Sequence, residues 1–205
     1  MTFHYPNGTP YQHDDPNKIK RQAPTKSKIE FGKRGMDFEE EINRSNQYYL
    51  NHGTAVIHKK PTPIQIVKVD YPRRSAAVIK EAYFRHASTT DYNGVYRGFY
   101  LDFEAKETKN KTSFPLKNFH QHQIDHMAQC LAQEGVCFVL MWFSSLNRCF
   151  FYPAETLIQQ WQTLKSITLS EIESSGIEIT MGIAPRIPYL EAVELYLQRR
   201  QQDGK

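Results

Sequence analysis

The alternation in Leu101-Asp102-Phe103-Glu104-Ala105-Lys106 constrains the fold most. Read as a strand, it turns Leu101, Phe103 and Ala105 to one face and Asp102, Glu104 and Lys106 to the other, because side chains alternate with a period of two. The first face is apolar enough to sit on a core. The second lines up two carboxylates and an ammonium.

A further acid, Asp91, comes within reach when the chain folds back on itself. A tight turn on Arg97-Gly98 sets Asp91 directly across from Glu104, with side chains roughly 5 Å apart. The rival turn, Asn93-Gly94, is the stronger hairpin dipeptide on statistics alone. It would set Asp91 against Tyr96 and leave Glu104 far away. The Arg97-Gly98 register is expected here because it assembles a site, although local rules do not force it. Two carboxylates side by side repel each other, and a hard divalent cation relieves that repulsion: Mg²⁺, or Mn²⁺ in its place, with oxygen ligands and waters. Lys106 can steady an anionic transition state or orient a water. With Asp91, Glu104 and Lys106 as catalytic residues, this is the chemistry of phosphodiester hydrolysis. A bare Glu-x-Lys also arises from charge alternation on a solvated strand. The acid across the hairpin is what turns it into a candidate site.

The run TTDYNGVYRGFYLDFEAKETKNKTSFPLKNFHQHQIDHM, from Thr89 to Met127, resembles the RecU family of bacterial Holliday-junction resolvases. The resemblance continues through RGM at Arg34–Met36, AVIHKKPTPIQIV at Ala55–Val67, YPRRSAAVIKEAYF at Tyr71–Phe84 and APRI at Ala184–Ile187, and so covers most of the chain from Arg34 onward. It implies an α/β fold, with a central mixed β-sheet flanked by helices in a restriction-endonuclease-like PD-(D/E)xK core, and a projecting β-hairpin stalk. It also implies a dimeric, Mg²⁺-dependent endonuclease that nicks four-way junctions in DNA recombination and repair, with a RecA-type recombinase as a partner. Thr89 and Gln123 would then join Asp91 and Glu104 at the metal. Thr89 suits this role, since residues i and i+2 share a strand face. Phe99 departs from the pattern, standing where a basic residue is expected.

The 205 residues are 40% hydrophobic, which suits one globular domain with its own core. The formal net charge of +4 permits nucleic-acid binding without requiring it. Cys130, Cys137 and Cys149 are odd in number and lack Cys-x-x-Cys spacing, so neither a disulfide framework nor a cysteine zinc site is indicated. A reducing interior fits this cysteine usage. The longest apolar run, Val136–Phe143, is too short to span a membrane. A cytoplasmic, nucleoid-associated protein without a membrane role is expected.

Along the chain, residues 1–30 read as a flexible basic arm with Lys18, Lys20, Arg21, Lys26 and Lys28. A single nuclease domain is expected over 31–205. A helix is expected from Phe31 to Leu50, with Phe38, Ile42 and Tyr49 inward. Glu39, Glu40 and Glu41 near its start suit the helix dipole. Glu39 or Glu40 facing the metal site is the other reading, and nothing selects between the two. After a short strand at Ala55–His58, Ile64–Asp70 and Ala76–Phe84 read as a long hairpin, the stalk, within about 59–84. Between His58 and His86 lie seven basic residues, Lys59, Lys60, Lys68, Arg73, Arg74, Lys80 and Arg85. All but Arg85, together with Lys109 and Lys111 on a presumed cleft wall, are candidate DNA contacts. In the family this insertion enters the central opening of the junction.

Asn118 to Glu134 reads as a helix with Ile124, Met127, Ala128 and Leu131 buried and Gly135 past its end. His122 and His126 have the i, i+4 spacing of zinc ligands but lack the Glu of His-Glu-x-x-His and a third ligand. Val136–Phe143, continuously apolar, reads as a strand buried on both faces. Cys149–Tyr152 is a further strand and Ala154–Leu164 a helix. Ser166–Thr180 mixes short elements, and Pro188–Arg200 is a closing helix. Asp102 shares the face of Glu104 and has no assigned role.

The intact acid–acid–lysine set favours an enzyme. A non-catalytic DNA-binding or recombinase-regulating module would retain the basic hairpin and the arm equally well. A sequence-specific restriction enzyme of the same fold would need base-reading loops.

Overall fold

The computed structural model describes residues 38–70, 77–84 and 89–203. The basic arm, the Arg34–Met36 block, Arg73, Arg74 and Arg85 lie outside the described residues, as does the expected start of the first helix at Phe31. In chain order the elements are α1 (Phe38–Asn51), β1 (Val56–Lys59), β2 (Ile64–Asp70), β3 (Val78–Phe84), β4 (Tyr92–Tyr96), β5 (Phe99–Thr108), β6 (Ser113–Pro115), α2 (Gln121–Leu131), β7 (Val136–Phe143), β8 (Arg148–Pro153), α3 (Ala154–Trp161), β9 (Ser166–Thr168), α4 (Leu169–Ser175), β10 (Ile177–Ile179) and α5 (Tyr189–Asp203).

The apolar run Val136–Phe143 dictates the layering. All eight residues of β7 are buried, so both faces of the sheet must be covered. Val136, Phe138, Leu140 and Trp142 pack with Phe38, Ile42 and Tyr49 of α1 and Tyr189, Leu190 and Val193 of α5. Cys137, Val139, Met141 and Phe143 pack with Ile124 and Met127 of α2, Leu157 of α3 and Ile172 of α4. A single strand thus feeds two cores through its period of two. Removing a ring such as Phe138 would cost about 3–5 kcal/mol, because the cavity cannot close completely. The six-stranded sheet runs β1-β4-β5-β7-β8-β10. Only β5 and β7 pair in parallel, through the crossover that carries α2, and the other pairs are antiparallel. The sheet is therefore mixed, between two helical layers.

The turn joining β4 and β5 is Arg97-Gly98. Both residues have positive φ, 48° and 84°, the backbone of a type I′ hairpin. The register follows, with Tyr92 opposite Phe103 and Tyr96 opposite Phe99. Asn93-Gly94 lies inside β4 instead. A Cβ on Gly94 would come within 2.2 Å of the Val56 carbonyl oxygen and 2.6 Å of the Ile57 Cα, so glycine there admits β1 rather than making a turn.

β2 and β3 form a separate two-stranded sheet, the hairpin expected as the stalk. Ile64, Ile66, Val67, Ile79 and Tyr83 are exposed on it. The pairing shifts register around Lys68, a β-bulge that raises the local twist.

Two readings need correction. The expected helix at Asn118–Glu134 is shorter: a 3₁₀ turn covers Leu116–Asn118 and α2 starts only after His120. Its start is set by a capping box, in which the Gln123 side chain accepts from the His120 backbone N–H. Ala128 is exposed, while Gln123 takes a buried place on the inner face. The expected short elements of 166–180 resolve into β9, α4 and β10, with β9 pairing β6 in a small third sheet.

Candidate active site

Asp91 sits just ahead of β4, one step past the Tyr92–Phe103 pair. Continuing that register sets it against Glu104, and the hydrogen bonds agree. The Asp91 backbone N–H donates to Glu104 Oε2 at 3.1 Å, and the Ala105 N–H donates to Asp91 Oδ2 at 3.4 Å. Lys106 Nζ lies 2.5 Å from Glu104 Oε1. The hairpin thus brings Asp91, Glu104 and Lys106 to one place.

Glu104 is fully buried. Its carboxyl is pushed up to about 8, chiefly by loss of water; the Lys106 ammonium pulls the other way, and the Asp91 charge adds to the rise. A buried carboxylate beside a second carboxylate, short of positive charge, fits a hard divalent cation. Both acids offer carboxylate oxygens, the ligand type that Mg²⁺ prefers.

Gln123 reaches Glu104 from α2. Its Nε2 donates to Glu104 Oε1 at 2.6 Å. The orientation is fixed from behind, since the His120 backbone N–H can meet only the Oε1 end, at 3.0 Å. In this arrangement Gln123 holds the carboxylate and presents no oxygen to it. Thr89 lines the cleft in front of the acids, together with Asp91, Gln123 and the root of the hairpin at Pro61-Thr62-Pro63. The cleft measures about 490 Å³. Glu39 lines it too and pairs with Lys59, whereas Glu40 pairs with Arg44 along α1. Of the two, Glu39 is the one on the cleft wall.

The candidate DNA contacts divide. Lys68 is exposed on β2, and Lys80 faces Asp70 at 3.8 Å on the outside of the same hairpin. Lys109 and Lys111 are exposed after β5. Lys60 turns inward to Asp102 at 2.7 Å, so its charge is largely satisfied within the protein. Asp102 is the residue that sequence reasoning passed over. It is fully buried and accepts from Thr90, Lys60 and Tyr100, with His126 Nε2 at 3.1 Å. Burial alone would raise its carboxyl, but Lys60 and Thr90 outweigh that and hold it below the usual carboxylate range. Its place two residues before Glu104 on the same face was the available signal. His126 points at Asp102. Among the described residues, the one trio of metal-type donors is Asp102, His126 and Cys130, which does not include His122.

A mixed sheet lies between two helical layers, with two acids and a Glu-x-Lys lysine converging at a hairpin beside a cleft, an arrangement whose chemistry suits metal-assisted hydrolysis of a phosphodiester. The family model described as Recombination protein U matches residues 33–195. The chain belongs to the RecU family. It is 60% identical to the Holliday junction resolvase RecU of Latilactobacillus sakei over 98% of this chain and 99% of that one. It is 61% identical to that of Lactiplantibacillus plantarum over 95% of each chain. A solved structure, the Holliday junction resolvase Hjc of Archaeoglobus fulgidus, aligns with a TM-score of 0.43 at 14% identity, covering 70% of this chain and 95% of that one.

Proposed function

We propose that this protein is a Mg²⁺-dependent endonuclease that resolves four-way DNA junctions by paired, symmetric nicks during recombination and repair. The observation that carries the reading is the meeting of Asp91, Glu104 and Lys106 behind a cleft that Asp91 and Gln123 line. Asp91 and Glu104 would hold the cation, Thr89 on the cleft wall would complete its shell, and Gln123 orders Glu104. When bound, Mg²⁺ (or Mn²⁺) polarises the scissile phosphate and lowers the pKa of a water. Lys106 offers positive charge to the anion that develops at phosphorus. Lys59, Lys68, Lys80, Lys109 and Lys111 contact backbone phosphates, and Arg73 and Arg74, which lie outside the described residues, are assigned the same role. Such contacts position the DNA and do not read its sequence.

One Asp91–Glu104–Lys106 site cuts one strand at a time. Two copies related by a two-fold axis offer two sites to a junction of matching symmetry, so we assign a homodimer. A RecA-type recombinase is the protein partner that fits a place in recombination. The setting is cytoplasmic, on nucleoid DNA. Among the described residues, no helix is long and apolar enough to cross a membrane.

The test is a four-way junction incubated with and without Mg²⁺. Symmetric nicks that require the cation, and that disappear in Asp91→Ala and Glu104→Ala, support the reading. Wild-type cutting by Glu104→Ala would overturn the site. A duplex cut as readily as a junction would overturn the substrate.

A further inference from the structure

Beside the acid pair, one dense polar cluster among the described residues has no part in the function above. It surrounds Asp102. Lys60 Nζ lies 2.7 Å from Asp102 Oδ2, 3.0 Å from Thr90 Oγ1 and 3.4 Å from His126 Nε2. Thr90 donates to Asp102 Oδ1, and Tyr100 donates to Oδ2 at 2.8 Å. Asp102, His126 and Cys130 are donors of the kinds that bind a transition metal. An ammonium already neutralises this carboxylate, however, so the cluster has its own cation.

Its position in the chain gives the cluster a meaning. Thr90 is the residue before Asp91. Asp102 lies two residues before Glu104 on the same face of β5. Lys60 also donates its backbone N–H to the Asp91 carbonyl at 2.7 Å. Lys60 therefore touches both segments that carry the acids, while its ammonium contacts neither acid's carboxylate. The β4–β5 ladder ends at the Tyr92–Phe103 pair, so Asp91 lies beyond its last rung. A cation shared by Asp91 and Glu104 requires that this open end be held close.

We propose that Lys60 is a positioning residue for the acid pair. Its ammonium, seated between Asp102 and Thr90, holds the Asp91 segment against β5 at the separation where Asp91 and Glu104 share one cation. The inference rests on the metal-dependent reading above and adds to it a residue from the root of the projecting hairpin. The staple acts before substrate arrives, so its effect lies on metal affinity. A residue that only filled space would leave that affinity alone, and a phosphate contact would alter DNA binding instead.

Removing Lys60 alone would strand a buried carboxylate, which destabilises strongly. The informative variant is the double replacement Lys60→Met with Asp102→Asn, which removes both charges together. Mn²⁺ binding to the DNA-free protein is measured by the electron paramagnetic resonance of free Mn²⁺, beside thermal melting and junction binding in EDTA. Expected are a cooperative melt, junction affinity within about twofold of wild type, and a Mn²⁺ Kd weakened at least about tenfold. The Mn²⁺ needed for half-maximal nicking shifts by the same factor. An unchanged Mn²⁺ Kd overturns the proposal. So does weakened junction binding in EDTA with a shallower salt dependence, because Lys60 then meets phosphate. If the double variant melts early, Thr90→Val carries the test. It removes one hydroxyl from the same staple, a severalfold loss of Mn²⁺ affinity is expected, and an unchanged Kd again overturns the idea. A wild-type chain that binds Mn²⁺ through Asp91 but leaves four-way junctions uncut would sink the resolvase reading and leave the positioning role standing.

Discussion

Asp102 and Glu104 lie two residues apart on one strand, on one face, and both are fully buried. Their electrostatics are opposite. Lys60, Thr90 and Tyr100 donate to Asp102, and its carboxyl is held low. Glu104 receives Lys106, Gln123 and one backbone N–H, faces a second acid, and is pushed up to about 8. Both side chains are closed off from solvent, so exposure does not separate them. The difference is the supply of positive charge. Asp102 carries an internal counter-ion and serves as scaffold. Glu104 has Lys106 but also faces the Asp91 charge, and this shortfall is what an external cation would make good.

The largest expected effect breaks the comparison at the chemical end. Glu104→Ala should lower nicking by about a thousandfold or more, with junction binding in EDTA retained, while Lys106→Ala should cost about 10²–10³. Single-turnover cleavage of a labelled junction measures both. Asp102→Ala should act on stability instead. It leaves the half-buried Lys60 without its carboxylate, a loss of about 3 kcal/mol seen as a lower denaturation midpoint. If Asp102→Ala were neutral for folding, the scaffold role would fail.

A subtler contrast lies in pH. The folded pKa of Glu104 is raised from its ordinary 4.5 to about 8. Folded protein therefore keeps a proton in that window that unfolded chain has lost. Its contribution to stability is full below about 4.5 and is lost as pH rises through about 8. Asp102, lowered from 3.8, contributes the reverse: stability present above that value and lost as pH falls through its lower folded pKa. In EDTA, Glu104→Gln should flatten the decline in melting temperature between about pH 5 and 8, and Asp102→Asn should leave that decline in place. The smallest effect concerns the exposed lysines. Lys109→Ala with Lys111→Ala should reduce the salt slope of junction binding by about 2, since each lost phosphate contact removes about 0.9. A matching loss in Lys60→Met with Asp102→Asn would erase the distinction between inward and outward lysines.

Much of this was legible from residues alone. The alternation of Leu101–Lys106 foretold which side chains share a face. The Arg97-Gly98 register foretold that Asp91 would come to Glu104, although the dipeptide statistics favoured Asn93-Gly94. What overrode the statistics was β1, which packs so closely on Gly94 that no side chain fits. Lys60 read as one more basic residue near a hairpin because its neighbours Lys59 and Pro61 give no sign that it turns inward. Ala128 read as core because its spacing matches the apolar stripe, and Gln123 holds the inner place because Glu104 and the His120 N–H both need it.

The sequence by itself determined the periodicities, and with them which side chains share a face and which two turns could compete. These are local properties, set by side-chain alternation and by backbone angles within a few residues. Only the tertiary structure decided which charges are internally neutralised. The partners of Asp102 come from Lys60, 42 residues before it, and His126, 24 residues after it. The physical reason is that a carboxylate's state depends on how much water it loses and which cation lies within a few ångströms. No pattern along the chain encodes that distance until β1, β5 and α2 have packed together.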